Sequence, residues 1–596
     1  MKALTNQAGC GYLQPVFFVL ALLVLLSACS GNSERPESTQ ESCTKEITSI
    51  ADIQGTTKTS PLLGTAHTVR GIVTYITNHG LYLEQTLADT NLQTADGIFV
   101  DSETIAKQAR PGDLLQLSGT VAELHQPDQP NNNSLTSLEQ ITAYQTCARQ
   151  QPLPVSTVQL PLSADERESL EAMRVEITQE LTVTDVYQLH QRQQLTLAAG
   201  GQKFTATEIM LPGSEARQQN QTNRLAMLQV QLPQSTTASA EAQVGDLAHK
   251  LSGIMTQQFG NYQLLSESSL ELVARELPVL PAKNGNLRLL SFNLYNLFNG
   301  DGMEQGFPAP RGARTYPEFL HQIQQLAATI IASEADLVAF QEIENDGYDP
   351  NSTIADLKNT LNKMLPEANW EYAKPAAERL GDSPISVGII YRSNRLQALG
   401  PALTNNEKPF QQLSRQPLAQ LFQDKQHKAK FLVAANHFKS KGGCPQLKSD
   451  LNANQQDGQA CWNMARVEAA ETLSNWLNRL RNFSANENMI ILGDLNSYRK
   501  EDPLRKLIDQ GWIDLVEENS TQPQYSFIFF GQAGTLDYAL ATPALATRLV
   551  QALNWNINSP IAPDSPLRES GYLRSSDHDP VIVDLDLSTT PSARNL

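Results

Sequence analysis

The stretch Met489-Ile490-Ile491-Leu492-Gly493-Asp494-Leu495-Asn496-Ser497-Tyr498 runs from an apolar segment directly into a polar turn. Such an apolar run is typical of a buried strand, which here stops at a carboxylate and an amide. The pattern recurs between residues 285 and 590, at Ser291-Phe292-Asn293, Phe340-Gln341-Glu342, Asn436-His437, Asp537-Tyr538 and Ser576-Asp577-His578. Because polar groups at the strand ends of a layered sheet converge on one rim, these repeats predict a functional site.

The segments around these motifs alternate between predicted strands and helices. We expect strands over 287–294, 335–341, 385–391, 431–436, 489–492, 536–542 and 581–587, and helices over 317–333 and 464–480. Interleaved strands and helices, without a glycine-rich phosphate loop, favour an α/β two-layer sandwich over residues 285–590. The chain is long enough to carry further domains ahead of this one, so we expect a multidomain protein.

In this order, the motifs GDLNS, SDHDP, QE and NHFKSK resemble those of the endonuclease/exonuclease/phosphatase superfamily, which includes relatives of deoxyribonuclease I and exonuclease III. Arg311-Gly312-Ala313 and Asp457-Gly458-Gln459 are similar to segments of its large bacterial extracellular nucleases. The resemblance covers roughly half of the chain. It implies a deoxyribonuclease I-like fold and the hydrolysis of phosphodiester bonds.

A cation site is expected among the polar strand ends. Phosphodiester hydrolysis must stabilise a highly charged phosphorus centre and a departing alkoxide, and an oxygen-ligated hard cation does this well. Glu342, which ends the apolar run LVAFQ, is the natural carboxylate ligand, with Asn293 and Asp577 beside it. Mg²⁺ keeps several of its waters and needs few protein ligands, whereas Mn²⁺ or Ca²⁺ could substitute for it.

Two histidines are the acid–base candidates, because imidazole titrates near neutral pH. The resemblance places His578 nearest the attacking water or the scissile phosphate, with Asp537 orienting its ring. It assigns Asp494 to positioning the nucleophilic water and Asn496 to donating a hydrogen bond to a phosphate oxygen. His437 would stabilise the phosphate or protonate the leaving group.

A formal net charge of −18 argues against a general electrostatic grip on nucleic acid. A phosphate substrate must therefore be met by a local basic patch or by a bound metal. Arg415 resembles the family's phosphate-contacting arginine, whose planar fork suits two phosphate oxygens. Lys439 and Lys441 either extend this patch or belong to a solvated loop. The family's acidic partner for His437 is displaced by one position, to Asp382, so that pairing is either kept through a changed loop or lost.

Residues 45–148 and 150–275 are rich in short β-type segments separated by turns. The first segment resembles the OB-like module, a five-stranded barrel, that precedes the catalytic domain in large bacterial extracellular nucleases. It either binds oligonucleotides or serves as a spacer, and its candidate stacking aromatics are limited to Tyr75, Tyr82 and Phe99. The second segment is predicted to be a further β-rich module.

Residues 1–28 are predicted to be a lipoprotein signal peptide and residues 29–44 a polar tether. The apolar run 16–26 is too short to span a bilayer comfortably and is typical of an export signal. The following Leu26-Ser27-Ala28-Cys29 resembles a lipobox, which implies cleavage before Cys29 and a lipid on its sulfur. A plain secretory signal is the alternative. We therefore expect a protein anchored at the bacterial envelope, on the outer membrane, or secreted.

The chain has six cysteines, of which Cys10 lies in the predicted signal peptide and Cys29 is the proposed lipid site. The remaining four are predicted to form disulfides, because their number is even and the compartment oxidising. We expect the pairs Cys43–Cys147 and Cys444–Cys461, which bracket one module and one loop respectively. A cysteine-based zinc site is the alternative, and the absence of a CxxC spacing disfavours it.

Together these features predict an exported, metal-dependent nuclease that acts on extracellular DNA, and on RNA as a second polymer, as a monomer without an evident protein partner. One alternative is a phosphatase or phospholipase-type phosphodiesterase of the same superfamily, since fold does not determine substrate. Another is a surface-binding protein with an inactive catalytic domain, which would have lost an essential polar residue.

Overall fold

The computed structural model describes residues 43, 45–124, 134–234, 241–258, 260–484 and 486–588. The predicted signal peptide, the lipid site at Cys29 and the tether, apart from Cys43, lie outside these residues. Among the described residues, no helix combines the length and the apolar character needed to cross a membrane.

The first part of the chain is a closed five-stranded barrel with the strand order β1-β2-β3-β5-β4. Its elements are α1 (Ile50–Gln54), β1 (Ala66–Ile76), β2 (Leu81–Glu84), β3 (Gly97–Val100), α2 (Glu103–Ala106), β4 (Leu114–Leu124) and β5 (Leu135–Ala148). A disulfide between Cys43 and Cys147 ties the chain ahead of the barrel to its last strand. The OB-like nature of this barrel stays a prediction.

The second part is built on a nine-stranded sheet with the order β15-β12-β8-β9-β11-β14-β13-β7-β6. Its strands are β6 (Ser156–Val158), β7 (Arg174–Ile177), β8 (Leu181–Asp185), β9 (Gln194–Ala199), β11 (Met227–Gln231), β12 (Leu247–Ala248), β13 (Leu251–Gln258), β14 (Asn261–Ser266) and β15 (Leu272–Val273). The same segment contains β10 (Lys203–Phe204), which pairs elsewhere, and the helices α3 (Ala164–Glu168), α4 (Leu189–Arg192), α5 (Ala206–Ile209) and α6 (Ser214–Ala226).

The barrel packs against this second sheet through the aromatic side chains that were the candidates for stacking on bases. Tyr82 and Phe99 are buried against Ala172 and Ile254 of the second part, with Tyr75 packed on the same cluster. The Tyr82 hydroxyl hydrogen-bonds Thr256 Oγ1 at 2.9 Å. Apolar contact with a neighbouring module thus covers Tyr82 and Phe99, whereas Tyr75 is half-buried. The burial of two of the three rings favours the spacer hypothesis for the barrel.

The third part contains two sheets, with the orders β18-β19-β17-β16-β30-β29 and β20-β22-β23-β24-β28-β25, and β21 pairs with β22. Its strands are β16 (Leu287–Leu297), β17 (Leu337–Glu344), β18 (Trp370–Tyr372), β19 (Ile385–Arg392), β20 (Leu396–Ala398), β21 (Leu403–Thr404), β22 (Leu418–Asp424), β23 (Lys430–His437), β24 (Met489–Asp494), β25 (Ile513–Asp514), β26 (Phe527–Phe529), β27 (Gln532–Gly534), β28 (Asp537–Ala541), β29 (Leu549–Asn554) and β30 (Val581–Leu585). Its helices are α7 (Tyr316–Ala332), α8 (Thr353–Met364), α9 (Pro409–Gln412), α10 (Asn463–Ser484), α11 (Asp502–Asp509), α12 (Leu515–Asn519) and α13 (Pro543–Ala546), with 3₁₀ turns at Pro366–Ala368 and Pro566–Ser570.

The two sheets pack face to face, and helices cover both outer faces. Leu289 of β16 and Val433 of β23 belong to the core between the sheets, whereas α7 and α8 pack outside the first sheet and α10 and α11 outside the second. The predicted two-layer α/β sandwich was therefore wrong in its number of layers. A strand buried on both faces is a continuous apolar run, whose sequence does not reveal what covers each face.

A small third sheet joins the second and third parts. β10 pairs in parallel with β27, which pairs antiparallel with β26. A strand from the second part therefore pairs with the edge of the β26–β27 hairpin of the third part. This pairing satisfies backbone groups that an edge strand would otherwise leave unpaired.

Candidate active site

Three neighbouring strands bring three of the predicted site residues side by side. His437, the last residue of β23, lies opposite Asp494 at the end of β24, and Asp494 lies opposite Asp537 at the start of β28. Gly493 permits this close pairing: its φ is 152°, and a Cβ at this position would lie 2.0 Å from the carbonyl oxygen of Asn436. Strand register alone therefore aligns an imidazole and two carboxylates.

Two bulged strands of the other sheet face this row. The pairing of β16 with β17 is interrupted directly after Asn293, and the pairing of β17 with β19 is interrupted at Glu342. Glu342 has a φ of +63°, a left-handed conformation that costs a bulky residue about 1–3 kcal/mol. Since a bulge changes the direction of a side chain, we attribute the position of Glu342 Oε1, 3.9 Å from His437 Nε2, to this local distortion.

His578 and Asp537 form the predicted pair. His578 Nδ1 lies 2.7 Å from Asp537 Oδ2, and both side chains are buried. Ser526 donates its hydroxyl to the same carboxylate oxygen at 2.7 Å, and the Phe527 ring lies 4.6 Å from the imidazole. The sequence does not reveal Ser526 and Phe527 as members of the site, because a serine and a phenylalanine before a turn carry no signal of a buried contact made across strands.

The electrostatics of the site give His578 and Asp494 opposite roles. Burial lowers the pKa of His578, but the surrounding carboxylates, above all Asp537 and Asp577, outweigh it and raise the pKa well above its usual value. Burial raises the pKa of Asp494 to about 7, although the positive charge of His578 acts against this rise. The arrangement thus holds a cationic imidazolium beside a carboxylate that can accept a proton near neutral pH.

His437 differs from His578 in both charge and partners. Its Nε2 lies 3.4 Å from Asp494 Oδ2, and its buried Nδ1 has no hydrogen-bond partner within the part of the chain that the structure describes. Burial, followed by the charge of Arg415, lowers its pKa well below the usual value. The Asp382 side chain is 92% exposed and pairs with Arg379 at 3.4 Å, so the structure does not bring it to His437.

The acidic side chains fit a divalent cation. Asp494, Asp537 and His578 offer ligand atoms that all lie within 4.8 Å of one another. Asp537 Oδ1 is buried and has no hydrogen-bond partner among the described residues. A buried, unpartnered carboxylate oxygen beside a second carboxylate is an environment that a hard cation stabilises.

The predicted ligands Asn293, Glu342 and Asp577 adjoin that group. Asn293 Nδ2 donates to Asp494 Oδ2 at 3.4 Å, while its Oδ1 accepts a hydrogen bond from the backbone of Tyr295. Burial raises the pKa of Glu342, and the charge of Asp577 adds to the rise. Both sets of residues therefore line one acidic pocket, and Asn296, whose Nδ2 donates to Glu342 Oε2 at 2.7 Å, is a further member that the sequence did not reveal.

Basic side chains approach the pocket from one side. Arg415 Nη1 donates to the carbonyl oxygen of Phe438 at 3.0 Å, and its backbone N–H donates to His437 at 3.0 Å. Lys439 Nζ lies 5.0 Å above the ring of Trp462, and burial lowers its pKa to about 8. Lys439 Nζ also donates to the carbonyl oxygen of Gly442 at 3.1 Å, and the phosphate-binding role of both residues stays a prediction.

Asn496 and Lys441 have mainly local partners. The backbone N–H of Asn496 donates to Asp494 Oδ1 at 2.8 Å, and its Nδ2 donates to Phe438 at 3.2 Å. Lys441 Nζ lies 2.5 Å from Glu501 Oε2, which is buried, so this lysine neutralises an internal carboxylate and does not extend a basic surface.

The second part of the chain contacts the loop that follows Asn496. Glu208 of α5 pairs with Arg499 at 3.1 Å, and Thr207 donates its hydroxyl to Glu501 Oε1 at 2.9 Å. Lys500 donates its backbone N–H to Thr207 at 2.9 Å. The GDLNSYRK segment is thus supported from outside its own domain, through contacts more than 290 residues apart in sequence.

Comparisons with known families find matches to two segments of the chain. Residues 290–578 match the Endonuclease/Exonuclease/phosphatase family, and residues 162–275 match a Domain of unknown function (DUF8508). No curated protein matches the chain. Solved structures similar to it include an endonuclease/exonuclease/phosphatase from Bacteroides vulgatus, at 15% identity and a TM-score of 0.34, covering 50% of this chain and 98% of that one.

Two further solved structures are similar to this chain. The Bacteroides thetaiotaomicron mannosyl-6-phosphatase is 14% identical with a TM-score of 0.34, covering 50% of this chain and 99% of that one. The human Nocturnin catalytic domain is 13% identical with a TM-score of 0.32, covering 51% of this chain and 94% of that one.

The chain therefore carries an endonuclease/exonuclease/phosphatase domain over residues 290–578, and the predicted superfamily is confirmed there. Members of this superfamily are hydrolases that act on phosphoester bonds, generally with divalent metals. The particular resemblance to large bacterial extracellular nucleases stays a prediction.

Proposed function

We propose that this protein is an exported, metal-dependent nuclease that hydrolyses phosphodiester bonds of extracellular DNA, with RNA as a second polymer substrate. The observation that carries the proposal is the alignment of His437, Asp494 and Asp537 across three paired strands, with His578 hydrogen-bonded to Asp537. This alignment supports the proposal because it would bring an imidazolium, a proton-accepting carboxylate and a neutral imidazole to one substrate.

Each side chain has a separate role in the proposed hydrolysis. Asp494, whose pKa is about 7, accepts a proton from the attacking water. His578 uses Nδ1 for Asp537, so its Nε2 is left to stabilise the negative charge that develops on the phosphoryl oxygens. Arg415 adds a second positive charge at the edge of the pocket. His437 has a depressed pKa and so contacts the leaving-group side as a neutral imidazole.

A divalent cation, with Mg²⁺ as the expected ion and Mn²⁺ or Ca²⁺ as substitutes, would be held by Glu342, Asn293 and Asp577, or by Asp494 and Asp537 beside them. When bound it would supply Lewis-acid stabilisation of the phosphoryl oxygens. The carboxylates and amide oxygen of this set are the ligands that such ions prefer.

Two features support an exported protein. Both expected disulfides, Cys43–Cys147 and Cys444–Cys461, are formed in the structure, as suits an oxidising compartment. The lipobox-like segment at Cys29 adds the proposal of a lipid anchor, which would hold the enzyme at the outer membrane facing its polymer substrate. Replacement of Cys29 by serine should release the protein from membranes, and an unchanged membrane fraction would count against the anchor.

The activity is tested with the purified protein on circular and linear duplex DNA, single-stranded DNA and RNA. We expect cleavage with Mg²⁺ or Mn²⁺, no cleavage with EDTA, and loss of cleavage in a variant with both His437→Ala and His578→Ala. Unchanged cleavage by that variant would refute the mechanism. Rapid hydrolysis of sugar phosphates or sphingomyelin, with none of nucleic acid, would favour a phosphatase or phospholipase of the same superfamily.

A further inference from the structure

Aromatic side chains are exposed next to the active site. Among the described residues, five phenylalanine and tyrosine side chains are exposed, and Phe529 and Phe530 are exposed by 55% and 76%. Tyr295, which follows the site residue Asn293, and Tyr187, which lies close enough to affect its ionisation, are exposed by 49% and 56%. Exposed apolar rings that lie together, as Phe529 and Phe530 do at a centroid distance of 4.3 Å, are typical of a surface that binds another molecule.

The phenylalanine rings form a row that begins at the catalytic imidazole. The ring centroids of His578 and Phe527 are 4.6 Å apart, those of Phe527 and Phe529 are 6.4 Å apart with an interplanar angle of 20°, and those of Phe529 and Phe530 are 4.3 Å apart. Phe527 and Phe529 share one face of β26 because residues two apart on a strand point the same way. The residue between them, Ile528, packs against the core of the second part.

Phe530 occupies a backbone position that disfavours it. The pairing of Phe529 with Gln532 leaves Phe530 and Gly531 as a two-residue hairpin turn, with φ values of 46° and 73°. A turn with both central residues at positive φ is usually Asn-Gly or Asp-Gly, and a bulky residue there is strained. Backbone strain at the tip of a hairpin, at a residue that is 76% exposed, is explained by function more readily than by stability.

The second part of the chain holds this tip in place. β10 completes the hairpin's sheet, and Asp185 accepts a hydrogen bond from the backbone N–H of Gly531. A Cβ at Gly531 would lie 2.5 Å from the terminal carbon of Met227. The exposed rings are therefore mounted on a rigid support rather than on a free loop.

We infer that Phe529 and Phe530, in line with Phe527, form a stacking platform for the unpaired bases of a nucleic acid strand whose phosphate enters the pocket at His578. This inference rests on the proposed nuclease function and names the form of the substrate, a single strand or a locally opened duplex end. Stacking on aromatic rings is tolerant of sequence, because every base has a flat π face.

The charge of the molecule favours bases over the phosphate backbone as the source of affinity. A net charge of −18 leaves little general attraction for a polyanion. Binding through the rings does not depend on net charge, and each stacked base typically contributes a factor of about 5 to 150 in affinity. The platform would thus add affinity for the substrate of an acidic nuclease, in addition to the affinity that Arg415 and Lys439 supply.

The inference is tested by fluorescence anisotropy with the full-length protein in EDTA, so that binding is measured without cleavage. The probes are a labelled oligothymidylate of about ten nucleotides and an oligomer of the same length built from abasic sugar phosphates. We expect the wild type to bind the base-bearing probe more tightly, and we expect Phe529→Ala with Phe530→Asn to raise its Kd by about 5- to 150-fold, so that the preference over the abasic probe disappears.

The single variant Phe530→Asn separates binding from folding. Asparagine suits the positive φ at this turn, so the melting temperature should stay or rise while the Kd for the base-bearing probe increases. Tyr144→Ala, which removes an exposed ring from the barrel instead, is the matched control and should keep the wild-type Kd. A lower melting temperature together with weaker binding would show a structural role for Phe530 and overturn the inference.

The outcomes also separate the platform from the proposed function. A Kd within about twofold of the wild type in the Phe529→Ala, Phe530→Asn variant, or an equal loss for both probes, would overturn the platform even if the protein cleaves DNA. Preferential binding of the base-bearing probe that depends on these rings, without cleavage of any nucleic acid after Mg²⁺ or Mn²⁺ is added, would overturn the nuclease proposal and leave the platform standing.

Discussion

Replacement of Asp537 by asparagine is the sharpest single test of the catalytic arrangement. Asp537 Oδ2 accepts the Ser526 hydroxyl and lies 2.7 Å from His578 Nδ1, in a site where both side chains are buried. Asparagine keeps the size of the side chain and removes its charge. The variant therefore perturbs the orientation and the protonation of His578 with little change in packing.

The expected loss of activity follows from these two effects. A well-placed proton-transfer or charge-stabilising imidazole contributes about 10²- to 10⁴-fold to a rate, which corresponds to about 3–5 kcal/mol of transition-state stabilisation. Burial lowers the pKa of His578, and Asp537 is the largest of the contributions that raise it again. Without that charge the pKa of His578 falls, so the cationic form is lost at a lower pH.

The assay is the pH dependence of kcat and of kcat/KM with a labelled oligonucleotide at saturating Mg²⁺. We expect kcat to fall by about 10²- to 10⁴-fold and the alkaline limb of the profile to move to lower pH. Ser526→Ala removes a neutral hydrogen bond from the same carboxylate and keeps its charge, so its loss should be about tenfold or less.

The pH profile distinguishes catalysis from a merely structural effect. If Asp537→Asn keeps kcat within about threefold of the wild type, the orienting role assigned to Asp537 is refuted. A large loss of kcat with an unmoved alkaline limb would show instead that His578 does not act as a cation.

Three further predictions concern the cation site and two buried acids of the second part of the chain. Glu342→Gln should raise the Mg²⁺ concentration for half-maximal activity by about tenfold or more, measured by metal titration, because it removes an acidic ligand. Glu208→Gln should destabilise the protein by about 1–2 kcal/mol in thermal unfolding, because buried Arg499 loses one charged hydrogen-bond partner and keeps Asp514. Burial raises the pKa of Glu171 to about 8, so the folded state binds a proton that the unfolded state has lost. The free energy of unfolding should therefore fall as pH rises from about 4.5 to about 8. Glu171→Gln should flatten this pH dependence in thermal scans.

Each of these predictions has a control. Glu344→Gln alters a neighbouring acid on β17 and should keep the metal titration of the wild type; an equal shift would deny Glu342 a special role. Glu517→Gln removes a half-exposed partner of Arg499 and should cost less than Glu208→Gln. A pH slope that survives Glu171→Gln would assign the titration to another buried acid, such as Glu84, whose pKa burial raises to about 7.

Local sequence was enough to predict the strands at whose ends the candidate site residues lie. These strands are apolar until they reach the site and polar at that point. The change from apolar to polar residues indicates the positions of Asn293, Glu342, His437 and Asp494 in the sequence. The order of these motifs predicted the superfamily, and residues 290–578 match its family model. The disulfide pairs followed from simple bracketing and are the pairs in the structure.

Only the tertiary structure decided which face of each strand meets which neighbour. Periodicity reports whether a face is buried and not what buries it, so the second sheet, the burial of Tyr82 and Phe99, and the pairing of Lys441 with Glu501 could not be predicted. The same holds for the rings of Phe527 and Phe529, which look like core residues in the sequence. They line up with His578 because strands from two parts of the chain, distant in sequence, complete one small sheet beside the active site.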